Sequence, residues 1–179
     1  MQLIDQSVER DPVRFRRFVE PLLGAAGAAG PHMIFPAWPG SYPQLLHRRL
    51  FHVTAFGPAW ASDTMKIASY ACASTVPSVE YIRGDHVLDA DIIRSIWDNL
   101  CQATHVLVDL TGLNANVALE LGIAHTLGRN VLLVSQDGPV QDWFPALAKL
   151  RVHRYSLDEP HGSHVLRDAL DGFLAGAGR

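Results

Sequence analysis

Residues 104–134, THVLVDLTGLNANVALELGIAHTLGRNVLLV, constrain the fold more than any other part of the chain. His105 to Leu110 is a short apolar, β-branched run that breaks at Thr111 and Gly112, the pattern of a strand buried on both faces and ending in a turn. Asn114 and Asn116 offer side-chain oxygens to the free N–H groups of a helix start, and Gly128 is placed to end that helix in a left-handed conformation. A second apolar run, Asn130 to Ser135, follows at once. Strand, turn, helix and strand in this order imply a crossover between parallel strands.

Similar punctuation extends the pattern in both directions. Leu50 to Ala55 is a first strand with a turn at Phe56, Gly57 and Pro58, and Val79 to Ile82 a brief second one. Ser62 or Asp63 is expected to cap a helix running to about Ala73. Ile92, Ile93, Ile96, Trp97 and Leu100 have helical spacing, which predicts an amphipathic helix over about 89–102 with Trp97 in the core. A short helix over 143–150, a fifth strand over 152–155 and a closing helix over 164–174 complete the alternation. The expected fold is α/β: a flavodoxin- or Rossmann-like five-stranded parallel sheet with helices on both faces.

Residues 1–49 do not share this pattern. A short amphipathic helix is expected from Asp11 and Pro12, and Pro21 ends it. Beyond it, prolines and small residues are interleaved with Phe35, Trp38 and Tyr42, so an irregular extension is expected whose aromatics are expected to pack against the main domain or a second subunit. The domain proper is expected over 50–179.

Composition narrows the function by exclusion. A net charge of −3 with no lysine or arginine block argues against nucleic acid or an anionic membrane surface as partner. Two cysteines make no disulfide framework and no zinc spacing, which favours a reducing compartment, and no apolar run reaches about 18 residues; the expected location is the cytoplasm. The nine histidines show no pairing that would ligate a metal, so no metal site is expected.

The chemistry-bearing residue is Glu120. It shares a helix face with Val117, Ala124 and Leu127 and so interrupts an apolar stripe, where a carboxylate is partly desolvated. The structural alternative is a glutamate at the edge of the stripe, snorkelling to solvent. The helix carrying it starts at the carboxyl edge of the sheet, where open α/β sheets place ligands. The turns at Phe56 and Gly57, at Asp85, and at Asp109, Thr111, Asn114 and Asn116 face that same edge and form the expected substrate-binding set.

The run from Asp109 to Ala124, D-L-T-G-L-N-A-N-V-A-L-E-L-G-I-A, resembles the signature of the nucleoside 2-deoxyribosyltransferase-like superfamily, which includes bacterial TIR-like nucleotide-processing domains. The likeness extends to the A-F-G turn at Phe56 and to Arg83–Asp85. It implies a small-molecule nucleoside or nucleotide substrate, with NAD among the candidate substrates, and no cofactor of its own. It also implies a homo-oligomer, and Glu120 as the group that attacks or stabilises the anomeric carbon. Asn116 is the expected donor that keeps Glu120 ionised. Asn114 stands where the deoxyribosyltransferases carry a second carboxylate, so a neutral base would need its acid from Asp85, Asp98 or His86, whereas a pyridinium leaves neutral and needs none. The alternative implied by Asn114 is a nucleotide-binding or sensing module of the same fold without catalysis.

Overall fold

A computed structural model describes residues 45–46, 48–84, 92–136, 150–158 and 161–176. Residues 1–44 and 47 of the extension expected over 1–49, residues 85–91, and residues 143–149 of the short helix expected over 143–150 lie outside the described residues. In chain order the elements are β1 (Arg49–Val53), α1 (Trp60–Ser74), β2 (Glu80–Arg83), α2 (Ile92–Gln102), β3 (His105–Asp109), α3 (Ala115–Thr126), β4 (Asn130–Ser135), β5 (Val152–Arg154) and α4 (Gly162–Ala175). The five strands form one sheet in the order β2-β1-β3-β4-β5, with every pairing parallel. This is the flavodoxin-like order, and its topological switch point falls between β1 and β3.

β3 is central because its sequence allows it to be. All five of its residues are buried, and their alternation divides them between two apolar layers. Val106 and Val108 join Phe51, Leu100, Val117 and Leu121 beneath α2 and α3, while Leu107 joins Leu50, Ala68, Leu132, Leu166 and Leu170 beneath α1 and α4. Each fully buried aliphatic side chain contributes roughly 1.5–3 kcal/mol relative to its exposed state. His105, at the amino end of β3, fits the core because burial, then the Arg48 charge, hold its imidazole below the ordinary range, and its ring meets Phe173 edge-on at 5.1 Å. Trp97 lies in the core at 3% exposure, as its spacing predicts.

Local signals explain most boundaries. α3 ends in a Schellman arrangement: Arg129 N–H bonds the Ala124 carbonyl at 2.9 Å, Gly128 N–H bonds the His125 carbonyl at 3.0 Å, and Gly128 takes φ +64. α1 departs from expectation, since it starts at Trp60 rather than at a Ser62 or Asp63 cap, and its N-cap Ala59 has no side-chain bond. Bonds from Ala61 N–H to the Pro58 carbonyl and from Ser62 N–H to the Ala59 carbonyl wind the first turn one step early. Asp63 instead pairs with Lys66 on the surface at 2.8 Å. At the start of α4, a Cβ on Gly162 would lie 1.5 Å from the Ser156 carbonyl oxygen, so only glycine fits. Among the described residues, no helix is long and apolar enough to cross a membrane.

Candidate functional site

The turn from β3 into α3 is built around Asp109. With no exposed surface, its carboxylate accepts from Thr111 N–H at 3.0 Å, from Thr111 Oγ1–H at 2.5 Å and from the Tyr155 hydroxyl at 2.5 Å. Thr111 Oγ1 in turn accepts from Gln136 N–H at 2.9 Å, which ties the turn to the end of β4. Burial, then the Asp109 charge, push the Tyr155 phenol upward, so it remains a donor at every ordinary pH. Leu113 N–H returns to the Leu110 carbonyl at 3.1 Å across Gly112, whose φ of +73 suits the third position of a type II turn. Leu113 itself holds φ +42, a conformation that costs a non-glycine residue about 1 kcal/mol. Asp109 and Thr111, which the sequence places with the substrate-binding residues, here give their side-chain oxygens to the turn.

α3 begins at Asn114, which has extended backbone and accepts from Asn116 N–H at 2.8 Å through its side-chain oxygen. Four positions along the helix are buried, Val117, Glu120, Leu121 and Ala124, and the three apolar ones pack beneath α3 in the layer shared with α2. Glu120 therefore faces the side of the sheet opposite Asp109, whose alternation with Leu107 and bond to Tyr155 put it beneath α1 and α4. Glu120 is 7% exposed, and burial pushes its carboxyl from 4.5 up to about 7. Three effects compete for that carboxyl, and desolvation wins. The helix dipole fades within the first turn, and Glu120 is in the second, about 7–8 Å along the axis from Ala115. Among the described residues it makes no side-chain hydrogen bond or ion pair. Asn116, expected to offset the burial, is instead exposed in the first turn, and the structure does not pair it with Glu120.

The β1 turn supplies the other wall of the switch point. Gly57 takes φ +102, a value open to glycine and strained for other residues, and this lets the chain leave β1 abruptly. Phe56 is 53% exposed at this edge. Its ring reaches the end of β2, where a Cβ on Gly84 would meet Phe56 Cζ at 3.3 Å. The missing side chain at Gly84 is thus what admits the ring. Trp60 is half-buried at the start of α1. Asp85 and His86, expected at the same edge, lie outside the described residues, and Asp98 is half-buried on α2 with Arg94 at 3.9 Å.

Phe56, Gly57, Thr111, Asn114 and the start of α3 thus share the carboxyl edge, with Glu120 one turn further along. Sequence reasoning missed Tyr155, whose hydroxyl reaches Asp109 across 46 positions with no local pattern to announce it. It also missed Thr54, whose buried hydroxyl at the end of β1 has no partner among the described residues. A hollow of about 470 Å³ opens elsewhere, around the amino ends of β4 and β5. None of the expected site residues lines it. The candidate site is assigned to the carboxyl edge because the topological switch point lies there and α3, which carries the desolvated carboxyl in its second turn, starts there. Among the described residues no group of three or more His, Cys, Asp or Glu side chains is arranged to hold a metal.

No protein-family profile matches the chain, and no curated protein matches it either. Among solved structures it is similar to a 2-desoxiribosyltransferase from Leishmania mexicana, at 17% identity over 55% of this chain and 71% of that one, with a TM-score of 0.46. It is also similar to the rubredoxin oxygen:oxidoreductase of the anaerobe Desulfovibrio gigas, at 9% identity over 75% of this chain and 37% of that one, with a TM-score of 0.51. At these identities the second likeness speaks to the fold alone.

Proposed function

We propose that this chain breaks the N-glycosidic bond of a nucleoside, a nucleotide or an NAD-like dinucleotide, with Glu120 as nucleophile or as stabiliser of the sugar cation. The observation that carries the reading is a buried carboxyl with no side-chain hydrogen bond among the described residues, on the helix that starts at the switch point of a parallel sheet. Breaking the bond from the anomeric carbon to the base nitrogen sends the electron pair to nitrogen and leaves positive charge on the ring. A desolvated carboxylate attracts that charge more strongly than one in water, or captures the carbon covalently before water or another acceptor takes the sugar. With its pKa at about 7, Glu120 is roughly half ionised at neutral pH. An arriving cation lowers that value, so the carboxylate forms as the charge it must meet appears.

Asn114 shapes the choice of leaving group. An amide holds no transferable proton, and its oxygen is already committed to the helix cap. A cationic leaving group such as nicotinamide, which departs neutral, therefore suits the site better than a neutral base. Phe56 offers an exposed ring for stacking against a base or a pyridinium. Leu113 and Leu119, exposed on the turn and on α3, suit contact with a second copy of the chain. Incubation with NAD and a panel of nucleosides, followed by chromatography, tests the reading. The expected result is release of free base that drops about a hundredfold or more in Glu120→Gln. Intact substrates throughout, or equal rates in the variant, contradict it.

The same observations support a second reading. A carboxyl that is half protonated, together with Asn114 in place of an acid, fits a non-catalytic nucleotide-binding module. Tight nucleotide binding by calorimetry without turnover selects it.

A further inference from the structure

β5 is shorter than the strand it joins. Its first residue, Val152, pairs with Leu133, so Asn130, Val131 and Leu132 of β4 continue without a β5 partner. The hollow of about 470 Å³ lies at this gap, within the roughly 300–1,000 Å³ common to small-molecule sites. Residues from both layers line it: His125 at the end of α3, Asp168, Gly172 and Phe173 on α4, and Arg151 and His153 at the entry to β5. Among its lining residues, Leu132 is buried and Ala169 and Phe173 half-buried, whereas Arg151 and Asp168 are exposed. Gly172 is unusual, since a glycine inside a helix costs roughly 0.5–1 kcal/mol relative to alanine. No atom lies within 4 Å of where its Cβ would be, so packing does not demand it. Its effect is to widen the hollow.

The rim carries an asymmetric charge. Arg151 is a permanent cation with a five-donor fork, and among the described residues neither it nor Asp168 is in an ion pair. Burial, then the Arg151 charge, hold His153 below the ordinary imidazole range, so near neutral pH it is an uncharged wall beside Arg151. Asp168 repels a second negative group. We infer that this gap is a ligand site distinct from the carboxyl edge, taking a small organic monoanion whose charged group pairs with Arg151 and whose apolar or aromatic body lies on Leu132, Ala169 and Phe173.

The dye 8-anilinonaphthalene-1-sulfonate, an aromatic monoanion that fluoresces on leaving water, is a direct probe of the folded full-length chain. Saturable binding of one equivalent is expected, displaced by benzoate. Arg151→Gln, at an exposed position, weakens it at least tenfold. Gly172→Leu puts a side chain into the hollow, relieves the helix of a glycine and abolishes binding. Glu120→Gln leaves it unchanged, which separates this site from the glycosidic proposal. Absent or unsaturable dye binding overturns the inference. So does binding that neither substitution at the gap alters.

Discussion

Asp109 and Glu120 belong to one motif, and both are buried acids, yet the sheet separates them and the two environments are opposites. Beneath α1 and α4, Asp109 accepts from Thr111 N–H, Thr111 Oγ1–H and the Tyr155 hydroxyl and closes a turn. Beneath α3, Glu120 makes no side-chain hydrogen bond among the described residues, and burial moves its carboxyl up to about 7. The contrast teaches that burial by itself does not make an acid structural or reactive. The supply of donors decides. A fully bonded carboxylate fixes geometry, and an unbonded one keeps free energy that a ligand's positive charge can release.

The largest effect expected from breaking this contrast is at Asp109. Asp109→Asn replaces one acceptor with an N–H₂ group facing donors and discards a buried charge-assisted pair. Unfolding by urea should show a loss of about 3–4 kcal/mol. A loss below about 1 kcal/mol would mean that the turn does not depend on this carboxylate.

The next effect is at Glu120 and depends on pH. Folding raises its pKa from 4.5 to about 7, so the folded state holds the proton more tightly. The associated stability is complete below pH 4.5 and is lost as pH rises through 7, a change of roughly 3 kcal/mol. Glu120→Gln does not titrate. Its melting temperature should therefore gain on wild type by about 8 °C between pH 5 and pH 8. Parallel melting curves across that range would show that burial does not perturb the group.

The fold was legible where a residue's role is set by its neighbours in sequence. The apolar runs, the Asn114 cap and Gly128 at the end of α3 are local devices, and the parallel order follows from crossover lengths that only a few topologies accommodate. Glu120 was legible as an interruption in a helical stripe. Its lack of a donor was not, because Asn116 stands one turn earlier and only coordinates show its backbone committed to the cap and its side chain exposed. The bracing role of Asp109 was hidden for a related reason: Tyr155 lies 46 residues away, and nothing in either segment encodes their meeting. The early start of α1 turned on carbonyls at Pro58 and Ala59, which carry no side-chain signal.

The most direct measurement is a carbon-13 NMR titration of the Glu120 carboxyl, assigned by its disappearance in Glu120→Gln. A midpoint near pH 7 in the free protein, moving downward when NAD is added, is the predicted result. A midpoint near 4.5 that ligand does not move would contradict the account.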